Sequence, residues 1–283
     1  MTMIETYSLT NGTTIPKIGF GTWQLEEGEV AYQSVLKALE YGYRHVDTAQ
    51  IYGNEKSVGQ AIVDSGVDRE AIFLTTKVWN DKGTYEETLA SIDESLAKLQ
   101  TDYVDLLLIH WPNPAEFQAD DAWKERNAQV WRAMEEAYQA GKVKAIGVSN
   151  FLRHHLETLF QTAQVKPMVN QIKLCPGLPQ DDLVDFCREH GMLLEAYSPL
   201  GKGAAFSNET LKQLADKYDT TIAQLALKWS LQHGFLPLPR SQTPANIKSN
   251  LEIPDFDLPA EDLSKMDQIK DLVEAPDPDH ADF

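Results

Sequence analysis

The chain has 283 residues, of which 42% are hydrophobic, and carries a formal net charge of −18 at pH 7. This length and apolar content suit one large core, so we expect a single domain over residues 1–283. The negative charge disfavours nucleic-acid binding, which needs a positive surface to replace counterions. No run of about 18 apolar residues is present, which argues against a membrane span.

Two features of the sequence predict the cellular compartment. The N-terminus has no basic segment followed by an apolar one, which disfavours a secretory signal. The chain contains two cysteines, Cys175 and Cys187, which could pair with each other. Two cysteines in a chain of this length are more typical of a reduced protein, so we expect a cytoplasmic location.

The first predicted element is a β-hairpin. Residues 6–15 alternate around Asn11-Gly12, and Asn-Gly is a strong signal for a two-residue hairpin turn. The hairpin precedes all the strands described next. We therefore expect it to cap the bottom of the fold that those strands form.

Eight short apolar runs follow the hairpin, separated by stretches with helical spacing. They cover residues 18–21, 44–46, 71–76, 104–109, 144–148, 168–170, 193–196 and 235–239. Apolar runs that alternate with helical stretches are typical of βα units. Eight such units predict an α/β protein of the (β/α)8 TIM-barrel class.

The helical stretches carry clear signals of their own. Apolar side chains recur at helical spacing over residues 85–99, and Gly141 follows a similar stripe over residues 131–138. Two consecutive helices are predicted between the last two strands, over residues 211–218 and 222–229.

Three segments do not fit the βα rhythm. They cover residues 112–121, 201–207 and 271–283. In barrel enzymes such segments form substrate loops at the carboxyl ends of the strands, so we expect all three to reach this top face. The alternative is that they are plain surface connections.

Polar side chains stand at or just after the ends of the apolar runs. They are Asp47, Lys77, His110, Ser149, Asn150, Gln171, Tyr197, Arg240 and Ser241. Reactive side chains of (β/α)8 enzymes lie at the carboxyl ends of several strands. The pattern therefore predicts an enzyme with one active site at the top of the barrel.

Asp47, Tyr52, Lys77 and His110 form the most specific group. A phenol is a poor acid at neutral pH, because its pKa is about 10. A neighbouring ammonium favours the phenolate and lowers that pKa, while a carboxylate keeps the ammonium charged and in place. An imidazole nearby can hydrogen-bond a substrate carbonyl. The group therefore predicts proton transfer to a carbonyl compound.

Each of these four residues also has a purely structural interpretation. Asp47 could cap the helix near Gly53, and Lys77 could be a solvated lysine at the barrel mouth. Tyr52 could serve packing, and His110 could simply bond to the backbone. Their occurrence at the ends of adjacent βα units favours the catalytic interpretation.

Longer motifs around these positions resemble those of the aldo-keto reductases. They are GFGTW at 19–23, DTA at 47–49, YGNE at 52–55, TTKVW at 75–79, DLLLIHWP at 105–112, GKVKAIGVSNF at 141–151, NQ at 170–171, EAYSPL at 195–200 and PDPD at 276–279. The resemblance covers essentially the whole chain. It is strongest to the bacterial reductases of diketogluconate and methylglyoxal type.

The resemblance implies a nicotinamide-dependent carbonyl reductase that uses NADPH. It implies that Tyr52 is the general acid, that Asp47 and Lys77 tune it, and that His110 positions the carbonyl. No Gly-x-Gly-x-x-Gly fingerprint is present, as expected for a barrel that binds its cofactor without a Rossmann turn. Relatives of this branch are commonly monomeric, so we also expect a monomer.

The resemblance further implies which residues bind the cofactor and the substrate. Tyr197 stacks on the nicotinamide, and Ser149, Asn150 and Gln171 hold its carboxamide. The other cofactor-binding positions are Ser198, Leu200, Arg240, Ser241, Asn246 and Asn250. The side chains expected to line the substrate mouth are Trp23, Trp79 and Trp111. This mouth suits small aldehydes, α-dicarbonyls and keto-sugars.

The chain departs from the family pattern where the adenosine 2′-phosphate is bound. Many relatives carry Pro-Lys-Ser after the last strand and an arginine five residues after the serine. Here Arg240 and Ser241 retain a cation and a hydroxyl, but Asn246 replaces the arginine. We therefore expect a modest preference for NADPH, with NADH also accepted. Lys173 and Cys175 depart from the family pattern as well.

Three other classes of function stay open at this point. A non-catalytic barrel that only binds the nicotinamide cofactor would have no need of an acidified phenol. A metal-dependent hydrolase would need several histidine and carboxylate ligands at neighbouring strand ends, and only Asp47 and His110 qualify. We predict no metal ligands, and we place His154-His155 at the surface. A glycosidase would need a pair of carboxylates, and Glu195 has no clear partner.

Overall fold

The structure is a computed structural model, and it describes residues 5–283. The predicted hairpin is present as strands β1 (Thr6–Ser8) and β2 (Thr14–Pro16), which pair antiparallel. Tyr7 donates a hydrogen bond to the carbonyl of Phe235, and Asn11 donates one to the carbonyl of Lys144. Phe235 and Lys144 each lie just before a strand of the eight-stranded sheet. The hairpin therefore covers the bottom end of that sheet.

Eight parallel strands within the described chain form one sheet whose order follows the sequence. They are β3 (Phe20–Gly21), β4 (His45–Asp47), β5 (Phe73–Val78), β6 (Leu106–Ile109), β7 (Ile146–Ser149), β8 (Val169–Lys173), β9 (Leu193–Tyr197) and β10 (Leu236–Leu238). The amides of Gly19 and Gly21 donate to the carbonyls of Pro237 and Pro239, both at 3.0 Å. These bonds join the first strand to the last, which confirms the (β/α)8 barrel.

Ten α-helices lie among residues 5–283. They are α1 (Glu29–Tyr41), α2 (Glu55–Asp64), α3 (Tyr85–Leu99), α4 (Trp123–Gln139), α5 (Arg153–Leu159), α6 (Asp181–Glu189), α7 (Glu209–Lys217), α8 (Ile222–Gln232), α9 (Pro244–Leu251) and α10 (Ala260–Asp267). The two helices predicted between the last two strands are α7 and α8. None of the helices of this described part of the chain is long and apolar enough to span a membrane.

The barrel interior changes from apolar to polar along the strands. Near the bottom it is filled by residues such as Phe73, Leu106 and Val169, together with Leu9 and Ile15 of the hairpin. Side chains two residues apart on a strand point to the same side. The inward positions of β5 are therefore Phe73, Thr75 and Lys77. Along this strand the barrel interior changes from apolar at the bottom to polar at the top.

Gly19 shows how tightly this interior is packed. A Cβ atom at this position would lie 2.5 Å from Nδ1 of His45, inside the barrel. Atoms cannot approach so closely without a shift of the backbone or of the imidazole. The glycine before β3 therefore makes room for the buried histidine.

Candidate active site

The structure brings Asp47, Lys77 and Tyr52 together at the top of the barrel. Lys77 Nζ donates to Asp47 Oδ1 at 2.7 Å and to Oδ2 at 2.9 Å. The same ammonium donates to the Thr48 carbonyl at 2.9 Å and to the Tyr52 hydroxyl at 3.3 Å. Lys77 is only 1% exposed. One buried ammonium therefore links the carboxylate to the phenol.

A short turn returns Tyr52 over the strand ends. The segment Gln50–Tyr52 is a single 3₁₀ turn, and it closes at Gly53, whose φ is +68°. Asn54 fixes this turn from behind: its amide donates to the carbonyls of Thr22 and Leu25, both at 2.9 Å. Asn54 belongs to the YGNE motif at 52–55, but no role was predicted for it from that motif.

Electrostatics keep Lys77 charged. Burial works to lower the pKa of Lys77, but the negative charge of Asp47 and the contact with Tyr52 outweigh it, and the pKa is raised. Asp47 is therefore engaged with the ammonium and not with a helix end. The capping role that was open for Asp47 at the sequence level does not occur.

The pKa of Tyr52 differs from the sequence-based expectation. Lys77 acts to lower it, as expected, but burial is the larger effect and Asp47 also raises it, so the pKa of Tyr52 is raised. The phenol thus holds its proton at neutral pH. Lys77 offsets part of the cost of forming the phenolate when that proton leaves.

His110 lies directly after β6, and its ring packs against both Tyr52 and Trp79. The ring centroids are 5.7 Å and 5.1 Å apart, respectively, with edge-to-face geometry. Burial, with a contribution from Lys77, lowers the pKa of His110 well below its ordinary value. The imidazole is therefore neutral, and its one N–H can donate to an oxygen atom.

One wall lies beside Asp47, Tyr52, Lys77 and His110, which we call the tetrad. It is formed by Ser149, Asn150, Gln171 and Tyr197. Ser149 donates to the carbonyl of Gln171 at 2.8 Å, and Asn150 donates to the carbonyl of His110 at 3.0 Å. The Tyr197 hydroxyl donates to Asn150 Oδ1 at 2.7 Å. These bonds fix the amide of Asn150 in one orientation.

Gln171 connects this wall to the ion pair. Its Nε2 donates to Asp47 Oδ2 at 2.9 Å and to Glu195 Oε2 at 2.7 Å. Both hydrogens of the amide group are used by these bonds. Of the polar atoms of this side chain, only Oε1 is left to contact a ligand.

Four predicted cofactor-binding residues follow β10 and lie outside this hydrogen-bonded cluster: Arg240, Ser241, Asn246 and Asn250. Arg240 donates to the side chain of Gln24 at 2.8 Å, and Ser241 Oγ accepts from the amide of Thr243 at 3.0 Å. Asn246 is exposed in the first turn of α9, and Asn250 is buried near its end. Arg240, Ser241 and Asn246 therefore form a second, more exposed region beside the N-terminus of α9, whereas Asn250 lies at its other end.

Ser198 and Leu200 follow β9 directly. Both are half-buried, and Ser198 adopts a positive φ of 49°. The Leu200 carbonyl accepts from the amides of Gly203 and Ala205, within the loop predicted over residues 201–207. This loop forms a 3₁₀ segment.

The three tryptophans do not all meet. Trp79 and Trp111 both pack on Phe283, with centroid distances of 5.9 Å and 4.9 Å. Trp23 stands apart, with Lys202 Nζ 4.9 Å from the centre of its ring. Sequence reasoning missed Phe283. The only signal for it was the prediction that the tail reaches the top face.

The tail is held in place by hydrogen bonds from two parts of the chain, the loop after β6 and the end of β8. Gln118 donates to the Ala281 carbonyl at 2.7 Å, and the amide of Ala115 donates to the Phe283 carbonyl at 3.1 Å. Lys173 donates to the Glu274 carbonyl at 2.9 Å. The departure from the family pattern at Lys173 thus has a structural role, whereas nothing in the structure explains Cys175.

The surface location predicted for His154-His155 is wrong for His155, which is fully buried. His155 Nε2 and Asp279 Oδ1 are 2.8 Å apart, and Asn113 donates to the same oxygen at 3.1 Å. His154 is half-exposed and lies 3.1 Å from Asp279 Oδ2. The pair therefore anchors the tail, a role that no local sequence pattern indicates.

These three groups lie within 4.8 Å of one another, close enough to share a metal ion. The Leu152 amide, however, donates to His155 Nδ1 at 3.1 Å. Burial lowers the pKa of His155 to about 4, so the neutral ring carries its one proton on Nε2. This proton serves the bond to Asp279, and Nε2 offers no lone pair to a metal.

Comparison with known proteins identifies the family of the chain. The model of the aldo/keto reductase family matches residues 17–271. The glyoxal reductase of Bacillus subtilis is 46% identical over 280 residues, which cover 99% of this chain and 98% of that protein.

Two solved structures extend the comparison. An aldo/keto reductase from Brucella melitensis has a TM-score of 0.87 and 45% identity, covering 94% of this chain and 99% of that one. A Bombyx mori aldo-keto reductase in complex with NADP has a TM-score of 0.85 and 34% identity, covering 95% and 93%. The chain therefore belongs to the aldo/keto reductase family of oxidoreductases.

Proposed function

We propose that this protein reduces aldehydes and ketones to alcohols with NADPH, and that Tyr52 is the acid that protonates the carbonyl oxygen. One observation carries the assignment of the acid. Lys77 Nζ is within hydrogen-bonding distance of both Asp47 and the Tyr52 hydroxyl. A binding module has no need of a buried ammonium held against a phenol.

The reaction requires one hydride and one proton. When bound, the nicotinamide supplies the hydride that reduces the carbonyl carbon. The Tyr52 O–H bond breaks and its proton passes to the carbonyl oxygen, while the electron pair stays on the phenolate. Lys77 stabilises that phenolate, and Asp47 keeps Lys77 in place. Neutral His110 donates its N–H to the carbonyl oxygen and orients it.

The wall beside the tetrad fits a nicotinamide. Gln171 Oε1 has no hydrogen-bond partner among residues 5–283 and can accept from a carboxamide NH2. Ser149 and Asn150 lie beside it with their own side-chain oxygens, and Tyr197 offers a half-buried ring for stacking. The NADP complex of the Bombyx mori relative supports the same cofactor here.

We infer that the 2′-phosphate of NADPH is held by Arg240 and Ser241. Arg240 is exposed and supplies the cation, and Ser241 supplies a hydroxyl at the entry to α9. Ser198, Leu200, Asn246 and Asn250 complete the cofactor-binding set. Asn246 carries no charge, so the preference for NADPH over NADH is modest.

The substrate is a small carbonyl compound. Trp79, Trp111 and Phe283 give the mouth flat apolar walls, and His110 lies against Trp79. The name of the Bacillus subtilis relative, glyoxal reductase, supports α-dicarbonyls within this class. Small aldehydes and keto-sugars suit the same mouth, and Trp23 contributes a further aromatic face.

Three properties complete the proposal. The described residues 5–283 form one domain, and the protein is a monomer. It is located in the cytoplasm, which two free and buried cysteine thiols support.

A hydrolase or a glycosidase is not favoured, because Lys77 and Gln171 already occupy the oxygens of Asp47.

Replacing Tyr52 by phenylalanine tests the acid directly. Tyr52→Phe removes only the hydroxyl, so we expect turnover to be nearly abolished and NADPH binding, measured by fluorescence quenching, to be retained. The matched control is Tyr7→Phe, which removes a hydroxyl at the bottom of the barrel. A loss of turnover below tenfold, about 1.4 kcal/mol of barrier, would show that Tyr52 is not the acid.

A further inference from the structure

A second carboxyl group lies buried behind the ion pair. Glu195 occupies the middle of β9 and is 0% exposed. Its Oε2 accepts a hydrogen bond from Gln171 Nε2 at 2.7 Å. Its Oε1 is buried and has no hydrogen-bond partner among the described residues, and His45 Nε2 lies 3.9 Å from it. None of the roles assigned above uses this side chain.

The ionisable groups around Glu195 offer it no cation. The groups that face it are Asp47 and His45 of β4 and Lys77 of β5, while its neighbour on β10 is the apolar Leu236. The charge of Lys77 is already matched by Asp47. Burial, with a contribution from Lys77, lowers the pKa of His45 to about 3, so that imidazole is neutral.

An ionised Glu195 would therefore add a second buried carboxylate beside a single ammonium. A buried charge without a partner is costly, and such a group takes up a proton instead. Burial, together with the charge of Asp47, accordingly raises the pKa of Glu195 to about 8. The geometry and the count of charges agree on a neutral carboxylic acid at neutral pH.

Glu195 and Asp47 together decide how the Gln171 amide is oriented. One Gln171 N–H is directed to Asp47 and the other to Glu195. With both N–H groups committed, the amide cannot rotate by half a turn without losing two acceptors. Its oxygen is thereby fixed away from the two carboxyl groups.

We propose that Glu195 is a positioning residue that, as a neutral acid, orients the Gln171 amide so that its oxygen accepts from the nicotinamide carboxamide. It supplies Gln171 with an acceptor without placing a second negative charge beside Lys77. This proposal rests on the proposed function for the identity of the ligand. The protonation of Glu195 does not depend on it and is tested without cofactor.

The first experiment follows thermal stability of the cofactor-free protein against pH. The folded pKa of Glu195 lies above its unfolded value of about 4.5. As the pH rises, Glu195 therefore loses its proton at a lower pH in the unfolded chain than in the folded chain. This difference lowers the stability of the folded protein progressively from about pH 4.5 to about pH 8. Glu195→Gln lacks this dependence. The Tm of Glu195→Gln minus that of the wild type should therefore increase from about pH 4.5 to about pH 8 and stay constant at higher pH.

The matched control is Glu116→Gln, which makes the same change at an exposed position. Its Tm difference from the wild type should stay flat with pH. A flat difference for Glu195→Gln as well would overturn the neutral acid. Should that variant fail to fold, infrared spectroscopy of the wild type decides instead. The carbonyl stretch of a protonated carboxyl group should be present at pH 7 and vanish as the pH passes about 8.

The second experiment tests the positioning role through NADPH binding at pH 7, measured by fluorescence quenching. Glu195→Gln keeps a neutral acceptor for Gln171, so its Kd should stay within about threefold of the wild type. Glu195→Leu removes one of the two acceptors that hold the Gln171 amide, which should weaken binding about tenfold, the effect of one hydrogen bond. Equal affinities for Glu195→Leu and the wild type would overturn the positioning role. A wild type that binds no NADPH would instead refute the proposed function.

Discussion

The floor of the site is held by strands, whereas its rim is held by loops and the tail. The floor comprises Asp47, Tyr52, Lys77, Gln171 and Glu195. Its members other than Tyr52 come from β4, β5, β8 and β9, and hydrogen bonds between 2.7 and 3.3 Å link all five. Its polar atoms are therefore fixed by neighbours on several strands at once.

The rim comprises Trp23, Trp79, Trp111 and Phe283. Trp23 is 39% exposed and Phe283 is 47% exposed. Phe283 reaches Trp79 and Trp111 only because Asp279, His155 and the loop after β6 hold the tail. The position of the rim therefore depends on contacts between segments that are distant in the sequence.

We propose that this difference separates the chemistry of the protein from its choice of substrate. A change in the floor disturbs a buried charge network, which carries a high energetic cost. A change in the rim alters surface loops, which barrels tolerate well. We therefore expect floor variants to lose turnover and rim variants to change KM.

The largest effect is expected from the centre of the floor. Lys77→Met removes the ammonium that stabilises the phenolate and leaves Asp47 buried and unpaired. Turnover should fall at least a hundredfold, in the range of general acid catalysis. The free energy of unfolding, measured with urea, should fall by about 3–5 kcal/mol.

Lys124→Met is the matched control for that variant, because Lys124 pairs with Asp121 at the exposed surface. It should change the unfolding free energy by less than about 1 kcal/mol. A fully active Lys77→Met protein would refute the link between Asp47, Lys77 and Tyr52.

A smaller effect is expected at the exposed region beside α9. A charge-assisted contact contributes about 1.5–3 kcal/mol, and Asn246 cannot supply a second one. The preference for NADPH over NADH in kcat/KM should therefore be about tenfold to a hundredfold. Arg240→Gly should erode the preference, and Asn246→Arg should sharpen it.

Arg240→Lys keeps the charge at this position and serves as the control, with most of the preference retained. A clear preference of the wild type for NADH would contradict the assignment. An unchanged ratio in Arg240→Gly would contradict it as well.

The smallest effect is expected from the anchor of the rim. Asp279→Ala removes the partner of His155, His154 and Asn113, so the tail and Phe283 should loosen. KM for a small α-dicarbonyl should rise about threefold to tenfold, equivalent to the loss of about one hydrogen bond, with kcat little changed.

Asp282→Ala makes the same change in the same tail, at an exposed residue, and should leave KM unaltered. Phe283→Ala should reproduce the effect of Asp279→Ala. Should Asp279→Ala lower kcat and leave KM unchanged, the division between floor and rim would be wrong.

The sequence by itself determined the barrel and the positions of the polar strand ends. The apolar runs 71–76 and 104–109 are each followed by a polar residue. They can be recognised as strands from neighbouring residues alone, because the apolar pattern is local. The same holds for the hairpin at Asn11-Gly12. Local pattern therefore sufficed to predict that Asp47 and Lys77 stand on adjacent strands.

Only the tertiary structure decided the rim and the charges. Asp279 meets His155 across 124 positions of the chain, and no local pattern records such a contact. The raised pKa values of Tyr52 and Glu195 follow from burial, which depends on every element packed around them. Contacts and burial of this kind arise only when distant segments fold together, because the desolvation of a group is a property of its whole surroundings.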